Sequence, residues 1–388
     1  MVSEINSHAS RVLDLFRSRR EISRLDVMQL SGLSRSTVNH RLSALTRGGL
    51  LVPLEGGSSN GGRPSSRFAF NADRARLLTA DIGASGFTAA LCDLNGVVVR
   101  HTTRRIDVWE GPLPVLTEVA SAFAEVTDGE ATEIWGIGVG VPGPVDFASG
   151  QVVSPPIMTG WDRFDIKSWF ADRYRVPVVV ENDVNARAVA ESRALDCDDL
   201  ISLKVGTGIG SGLVFNGRII RGHEGAAGDI GHTRAAIREG EPEAACRCGN
   251  TGCVEAYAGG WAILRDLRAA GVEVADVAGI VALVARGDIT AVGLVRQAGR
   301  VLGDAVADLV GILNPRIVVI SGQLAACGEL LLTGVQERVH QRALPLATRA
   351  LEISTSRFGQ FTGVTGLALI TADRVLDEPS LDSLLESA

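Results

Sequence analysis

Three cysteines lie within eight residues, in the run Cys246-Arg-Cys248-Gly-Asn-Thr-Gly-Cys253. Three thiolates on one short, glycine-containing loop form a donor set for a soft divalent metal. His232, 14 residues before Cys246, can complete a tetrahedron. A site closed by three sulfurs and one imidazole leaves no open position for water, so its role is structural rather than hydrolytic. The alternative is a loop of three free thiols. Cys92, Cys197 and Cys327 are scattered among apolar residues and read as buried thiols. His8, His101 and His340 have no ligand spacing around them, and nothing marks His223, in a glycine-rich stretch, as a ligand.

A second polar group follows an apolar run. After Val178-Val179-Val180 come Glu181-Asn182-Asp183 and a helical pattern. A carboxylate and an amide at the C-terminal end of a buried strand suit hydrogen bonding to vicinal hydroxyls. Asp183 is also placed to act as a general base toward a primary hydroxyl. Helix N-capping is the competing use of the same residues. Asp229 and Glu255 flank the metal ligands and offer two more carboxylates to the same cleft. Two glycine-rich turns, Asp81-Ile-Gly83-Ala84-Ser85 and Gly206-Thr207-Gly208 with Ser211 beyond, can bring backbone N–H groups close to phosphate. Either turn alone could simply join strands. Together, at equivalent places in two halves of the chain, they point to a nucleotide cleft.

The third group is near the start. A helix beginning at a Ser34 cap presents Arg35, Ser36, Thr37, Asn39, His40 and Arg41 at its N-terminal end, side chains able to reach phosphates and base edges of a major groove. Helices over about 9–19 and 24–31 precede it, the second capped by Ser23 and closed by Gly32. Strands at Leu50-Leu51-Val52 and Arg67-Phe-Ala-Phe70 follow, around a Gly/Ser-rich turn that holds Arg63. That order is a winged helix-turn-helix, and it predicts double-stranded operator DNA as partner. A purely structural helical hairpin is the competing reading.

The rest of the chain must position these groups. From Leu77 onward, short apolar strands with tight turns alternate with long Ala/Val/Leu helices, an α/β pattern. It divides the chain at 1–72 (head), 73–180 (a small α/β lobe) and 181–362 (a larger lobe with the metal loop). A C-terminal helix over about 363–388 is expected to fold back on the small lobe. A length of 388 residues agrees with two or three domains. The formal charge of −7 is unevenly spread: residues 1–76 hold 12 arginines against six acids, whereas the remainder is strongly acidic. A basic head on an acidic body suits nucleic acid at one end. Lys167 and Lys204 are the only lysines. No apolar run reaches the roughly 20 residues of a membrane helix, and no secretory h-region is present, so a cytoplasmic protein without a membrane partner is expected.

On these residues the chain resembles the ROK family (repressor, open reading frame, kinase). The motifs Gly222-His-Glu-Gly-Ala-Ala-Gly-Asp-Ile-Gly-His232 and Cys246 to Glu255 carry the likeness, with the Gly62-Arg63-Pro64 wing for its sugar-responsive repressors. The resemblance implies an actin/hexokinase-like (ribonuclease H-like) two-lobed domain behind the head. It also implies a homodimer or homotetramer and one structural Zn2+ on His232, Cys246, Cys248 and Cys253. Sugar or phosphosugar contacts would fall on Asn182, Asp183, Asp229, His232 and Glu255. If the kinase reaction survives, ATP and Mg2+ would use Asp81, Gly83, Ser85, Gly206, Thr207 and Gly208, with Asp183 as catalytic base. Three departures count against a kinase or alter its sugar: Ala84 where the phosphate loop usually has glycine, Ser321-Gly322 in place of paired glycines, and Asp229 in place of a longer glutamate. The His232-to-Cys246 spacing is also longer than usual, which reads as a loop insertion.

Overall fold

The computed structural model describes residues 9–19, 21–54, 67–155, 158–236 and 243–386. The head opens with helix α1 (Ala9–Arg17), a two-residue strand β1 (Ile22–Ser23), α2 (Arg24–Ser31) and α3 (Arg35–Arg47). Ser23 caps α2 by a reciprocal capping box with Asp26, and Gly32 ends it at φ 70°. Strands β2 (Leu51–Leu54) and β3 (Arg67–Phe70) pair antiparallel, and β1 adds to the far edge of β3. The wing turn with Arg63 lies outside the described residues. The first helix ends two residues earlier than its pattern predicts.

Two five-stranded sheets follow. The first comprises β4 (Arg76–Gly83), β5 (Gly86–Cys92), β6 (Val98–Arg104), β7 (Ile134–Val141) and β10 (Val178–Asn182), with helices α4 (Pro112–Val126) and α5 (Ile166–Tyr174) and a small ribbon of β8 (Val145–Asp146) and β9 (Gln151–Val152) between strands. Helix α6 (Asp183–Leu195) leads to the second sheet: β11 (Leu200–Val205), β12 (Ile209–Phe215), β13 (Arg218–Ile219), β14 (Ile317–Ser321) and β15 (Glu352–Thr355). Between β13 and β14 run α7 (Glu255–Ala258), α8 (Gly260–Ala269), α9 (Val277–Ala285) and the long α10 (Ile289–Leu313); α11 (Glu329–Arg342) and α12 (Pro345–Thr348) precede β15.

Both sheets have one plan. In each, the first three strands form an antiparallel meander, and the fourth and fifth add in parallel on the other side of the first, giving orders β6-β5-β4-β7-β10 and β13-β12-β11-β14-β15. This is the duplicated two-lobed plan of the actin/hexokinase class. The parallel strands are apolar on both faces because helices cover both sides, as in Ile317–Ser321, which is buried throughout.

The C-terminus departs from expectation. In place of one helix there are two, α13 (Thr362–Val375) and α14 (Glu378–Glu386). Helix α13 packs on β4, β7 and α6. It can do so because Gly363 and Gly366 face the Asp81 carboxylate and the Ala186 carbonyl so closely that any β-carbon would overlap them. Helix α14 does not return to the small lobe's sheet; it packs on α1 and α3 of the head. Leu381 joins a core shared by Val12, Phe16, Val38, Leu42 and Leu45 of the head and Leu77, Ala90, Trp135, Val364 and Ala368 of the lobe. Head and lobe therefore share one apolar core, and the head is not hung on a free linker. No single helix among the described residues is long and apolar enough to cross a membrane.

Candidate functional site

The metal loop is held as a small ribbon. Ala235 N–H donates to Gly252 O at 2.8 Å and Val254 N–H to Thr233 O at 2.9 Å, which zips the cysteine loop to the segment carrying His232. The Tyr257 hydroxyl accepts from Ala244 N–H at 2.8 Å and holds the entry to the loop. The ligand atoms of His232, Cys246, Cys248 and Cys253 all lie within 4.8 Å of one another. Cys246 Sγ is 3.6 Å from His232 Nδ1, and Cys248 Sγ is 3.7 Å from Cys253 Sγ. A tetrahedral metal with sulfur bonds near 2.3 Å needs ligand separations of about 3.8 Å, so the four groups fit such an ion. The longer His232-to-Cys246 connection, partly outside the described residues, has not displaced a ligand. Burial pushes the Cys253 thiol up to about 12.

The candidate sugar residues are placed around β12. Asn182 caps α6, its Oδ1 accepting from Val184 N–H at 3.0 Å while Nδ2 donates to Gly143 O at 2.7 Å. Val184 rests on Gly210 and Gly212 of β12. On the other side of that strand, Ser211 N–H donates to Gly228 O at 3.0 Å, which places Asp229 and the Ile230–His232 turn beside it. Glu255 accepts from Ile209 N–H at 2.8 Å and from Trp261 Nε1 at 2.9 Å, and so holds the Gly206–Gly208 turn in place. Asn182, Asp183, Asp229, His232 and Glu255 thus gather around one strand. Asp229 is exposed, the others at least half-buried. His232 turns Nδ1 to the sulfurs, which leaves Nε2 for a group outside the cluster.

Three cations that motif reading missed stand against the buried acids of this cleft. Lys204 on β11 pairs with Asp183 Oδ2. Arg187 on α6 pairs with Asp81 at 2.5 Å. Arg221 donates from Nε and NH2 to Glu181 Oε2 at 2.9 and 2.7 Å and stacks on Phe147. The one available signal was rarity, since Lys204 is one of two lysines in the chain. Gly83 and Ser85 form the β4–β5 turn. Gly206 and Thr207 carbonyls accept from Gly260 and Trp261 N–H groups at 2.9 and 3.1 Å, which fixes the second turn.

In the head, Ser34 caps α3 by accepting from Thr37 N–H at 3.2 Å. Ser34, Arg35, Ser36 and His40 are exposed, and Thr37 and Asn39 are half-buried. Arg41 is a correction: it is only 1% exposed and faces inward, with the Glu378 and Asp382 carboxylates of α14 acting on its charge. The physical reason is helical spacing. Val38, Arg41, Leu42 and Leu45 fall at i, i+3, i+4 and i+7, the buried stripe. By the same rule Ser43 and Arg47 continue the outer face of Ser36 and His40, and both are exposed. A further link joins head and cleft: Asp373 of α13 pairs with Arg17 of α1 at 2.7 Å and with Arg193 of α6 at 3.0 Å.

A family model for ROK proteins matches residues 77–374. The chain belongs to the ROK family. In this ROK protein the head matches the IclR helix-turn-helix domain over residues 7–55. The chain is 28% identical to the xylose repressor of Bacillus subtilis over 361 residues, 92% of each chain. It is 30% identical to the glucokinase of Thermotoga maritima over 317 residues, 77% of this chain and 98% of that one. Among solved structures, a ROK family transcriptional regulator described as a homolog of the E. coli MLC protein superposes with a TM-score of 0.82 at 26% identity, covering 99% of both chains. The glucokinase likeness stops at the two-lobed domain, whereas the regulators match with the head included.

Proposed function

We infer that this protein is a transcriptional regulator that binds operator DNA through its head and senses a sugar in the cleft without phosphorylating it. The observation that supports this reading is that the likeness to regulators runs through the head, over 92% or more of the chain, whereas the glucokinase likeness covers 77%. Lys204 is bonded to one oxygen of the Asp183 carboxylate, so only the second oxygen is open to a sugar hydroxyl. Arg187 pairs with Asp81, the carboxylate that a metal–nucleotide would meet, and occupies one of its oxygens.

In this reading, Asn182, Asp183, Asp229, His232 and Glu255 hold the sugar. Zn2+ on His232, Cys246, Cys248 and Cys253 fixes the imidazole and Glu255 toward it. Sugar binding alters operator affinity only if it favours one arrangement of head and lobe over another. The shared core and the Arg17–Asp373–Arg193 bridge are the physical connection through which it does so. A dimer would present two heads to a two-fold related operator.

Two measurements test the reading. Full-length protein incubated with ATP, Mg2+ and a panel of sugars is expected to yield no sugar phosphate above a protein-free control; steady product formation would replace the sensor with a kinase. Operator fragments selected from a random library should bind with nanomolar-range affinity, and that affinity should change when a sugar that raises the melting temperature is added. No change with any such sugar would remove the sensing half of the proposal.

A further inference from the structure

The charges around the cleft go beyond the choice between kinase and sensor, because they select the chemical class of the ligand. Three of the buried acids there already have a cation of their own chain: Asp81 has Arg187, Glu181 has Arg221 and Asp183 has Lys204, whereas Glu255 is held by N–H donors alone. Glu181 is 1% exposed and Asp183 3%, so neither carboxylate can turn to water if its partner leaves. Within the Lys204–Asp183 pair the lysine is the solvent-facing half, its side chain 21% exposed against 4%. Lys204 lies in register with Gly210 on one side and Ser321 on the other, one residue before the end of β11. Its ammonium therefore lies beside the capped start of α6, on Asp183, and stays partly open to solvent.

We propose that Lys204 is a ligand-contacting, specificity-determining residue, and that with Asp183 it selects an uncharged sugar over a phosphorylated or carboxylated one. The inference rests on reading the cleft as the sugar site. An ammonium carries three N–H donors, and Asp183 uses one. The remaining donors and the second carboxylate oxygen form a donor–acceptor pair. A sugar hydroxyl, which donates and accepts at once, satisfies both, and a vicinal diol spans them. A phosphate only accepts. It can take the spare Lys204 donors but then meets the second Asp183 oxygen charge against charge, and drawing the lysine away instead would leave a buried carboxylate uncompensated. Asp229 and Glu255 nearby add negative charge and repel the anion further.

The test is isothermal titration of the full-length protein, at one ionic strength, with D-xylose, D-glucose and N-acetyl-D-glucosamine and with D-glucose 6-phosphate and N-acetyl-D-glucosamine 6-phosphate. At least one neutral sugar should bind, and roughly tenfold or more tighter than either phosphate. Lys204→Met should weaken that neutral sugar roughly tenfold or more, the size of a hydrogen bond to a charged group. The double variant Lys204→Met/Asp183→Asn removes both charges and leaves no buried ion unpaired, so it separates folding from recognition; it should retain metal content and operator binding yet still bind the sugar poorly. Lys204→Arg should retain the preference for neutral sugars. A phosphorylated sugar binding as tightly as its neutral parent would overturn the inference and leave the sensor reading standing. Undiminished neutral-sugar affinity in the double variant would do the same. If no sugar of either class binds, both fall together.

Discussion

Replacing Cys248 with serine is expected to remove the bound metal and unfold the local ribbon, with loss of sugar binding as the functional consequence. A serine hydroxyl is a poor ligand for a soft divalent ion, and a three-ligand remnant holds zinc far more weakly than the closed four-ligand site. Structural zinc contributes its binding energy directly to folding. A loss of about three to five kcal/mol would lower the melting temperature by roughly 4–6 °C in a chain of this size. The cluster is embedded, with Cys246 and Cys253 buried and packed against Ala256, so the damage extends to α7 and to the Glu255 side chain that holds the Gly206–Gly208 turn. Elemental analysis should find about one zinc per chain in the parent and much less in the variant. Operator binding measured in parallel separates the two ends of the molecule, because the head's own core does not include these residues. A Cys248→Ser protein that retains a full zinc complement and an unchanged melting temperature would show that the four side chains do not hold a structural metal.

The three-cysteine, one-histidine cluster and the doubled sheet were legible in the sequence because each depends on local pattern. Cysteine spacing on one loop, and apolar strands ending in glycine turns, survive without knowledge of the partner surface. The head was legible for the same reason: Ser23 with Asp26, Gly32 and Ser34 are caps that act within four residues. What could not be read were features that two distant segments create together. Lys204 meets Asp183 across 21 positions and Arg187 meets Asp81 across 106, and no spacing rule connects them. The break between α13 and α14 lies near Leu376 and Asp377, where the chain leaves the lobe to cover the head; nothing in the apolar pattern distinguishes those two surfaces. Arg41 is different, since its place on the Val38–Leu45 stripe was available from periodicity. Residue type makes Arg41 a candidate DNA contact, whereas its position on the helix puts it in the core.

That distinction gives the second large prediction. Arg35→Ala should weaken operator binding by roughly ten- to a hundred-fold per head, the value of an arginine contact to a base edge or phosphate. Its melting temperature and its sugar binding should be unchanged, because Arg35 is exposed at the start of α3 and supports nothing in the core. The salt dependence of binding tells which contact was lost: a phosphate contact reduces the slope of log K against log salt by about one, whereas a base contact leaves the slope and relaxes sequence preference. Arg41→Ala should behave in the opposite way. Truncating a 1% exposed side chain beside Glu378 and Asp382 opens a gap between α3 and α14 and removes the positive charge those half-buried acids face. The melting transition of the head should fall by several degrees, and DNA affinity should drop only as far as the head is unfolded, recovering at lower temperature. If Arg35→Ala left operator affinity intact while Arg41→Ala abolished it at temperatures where the head is fully folded, α3 would have to be reading DNA with its other face, and the docking derived from its exposed residues would be wrong.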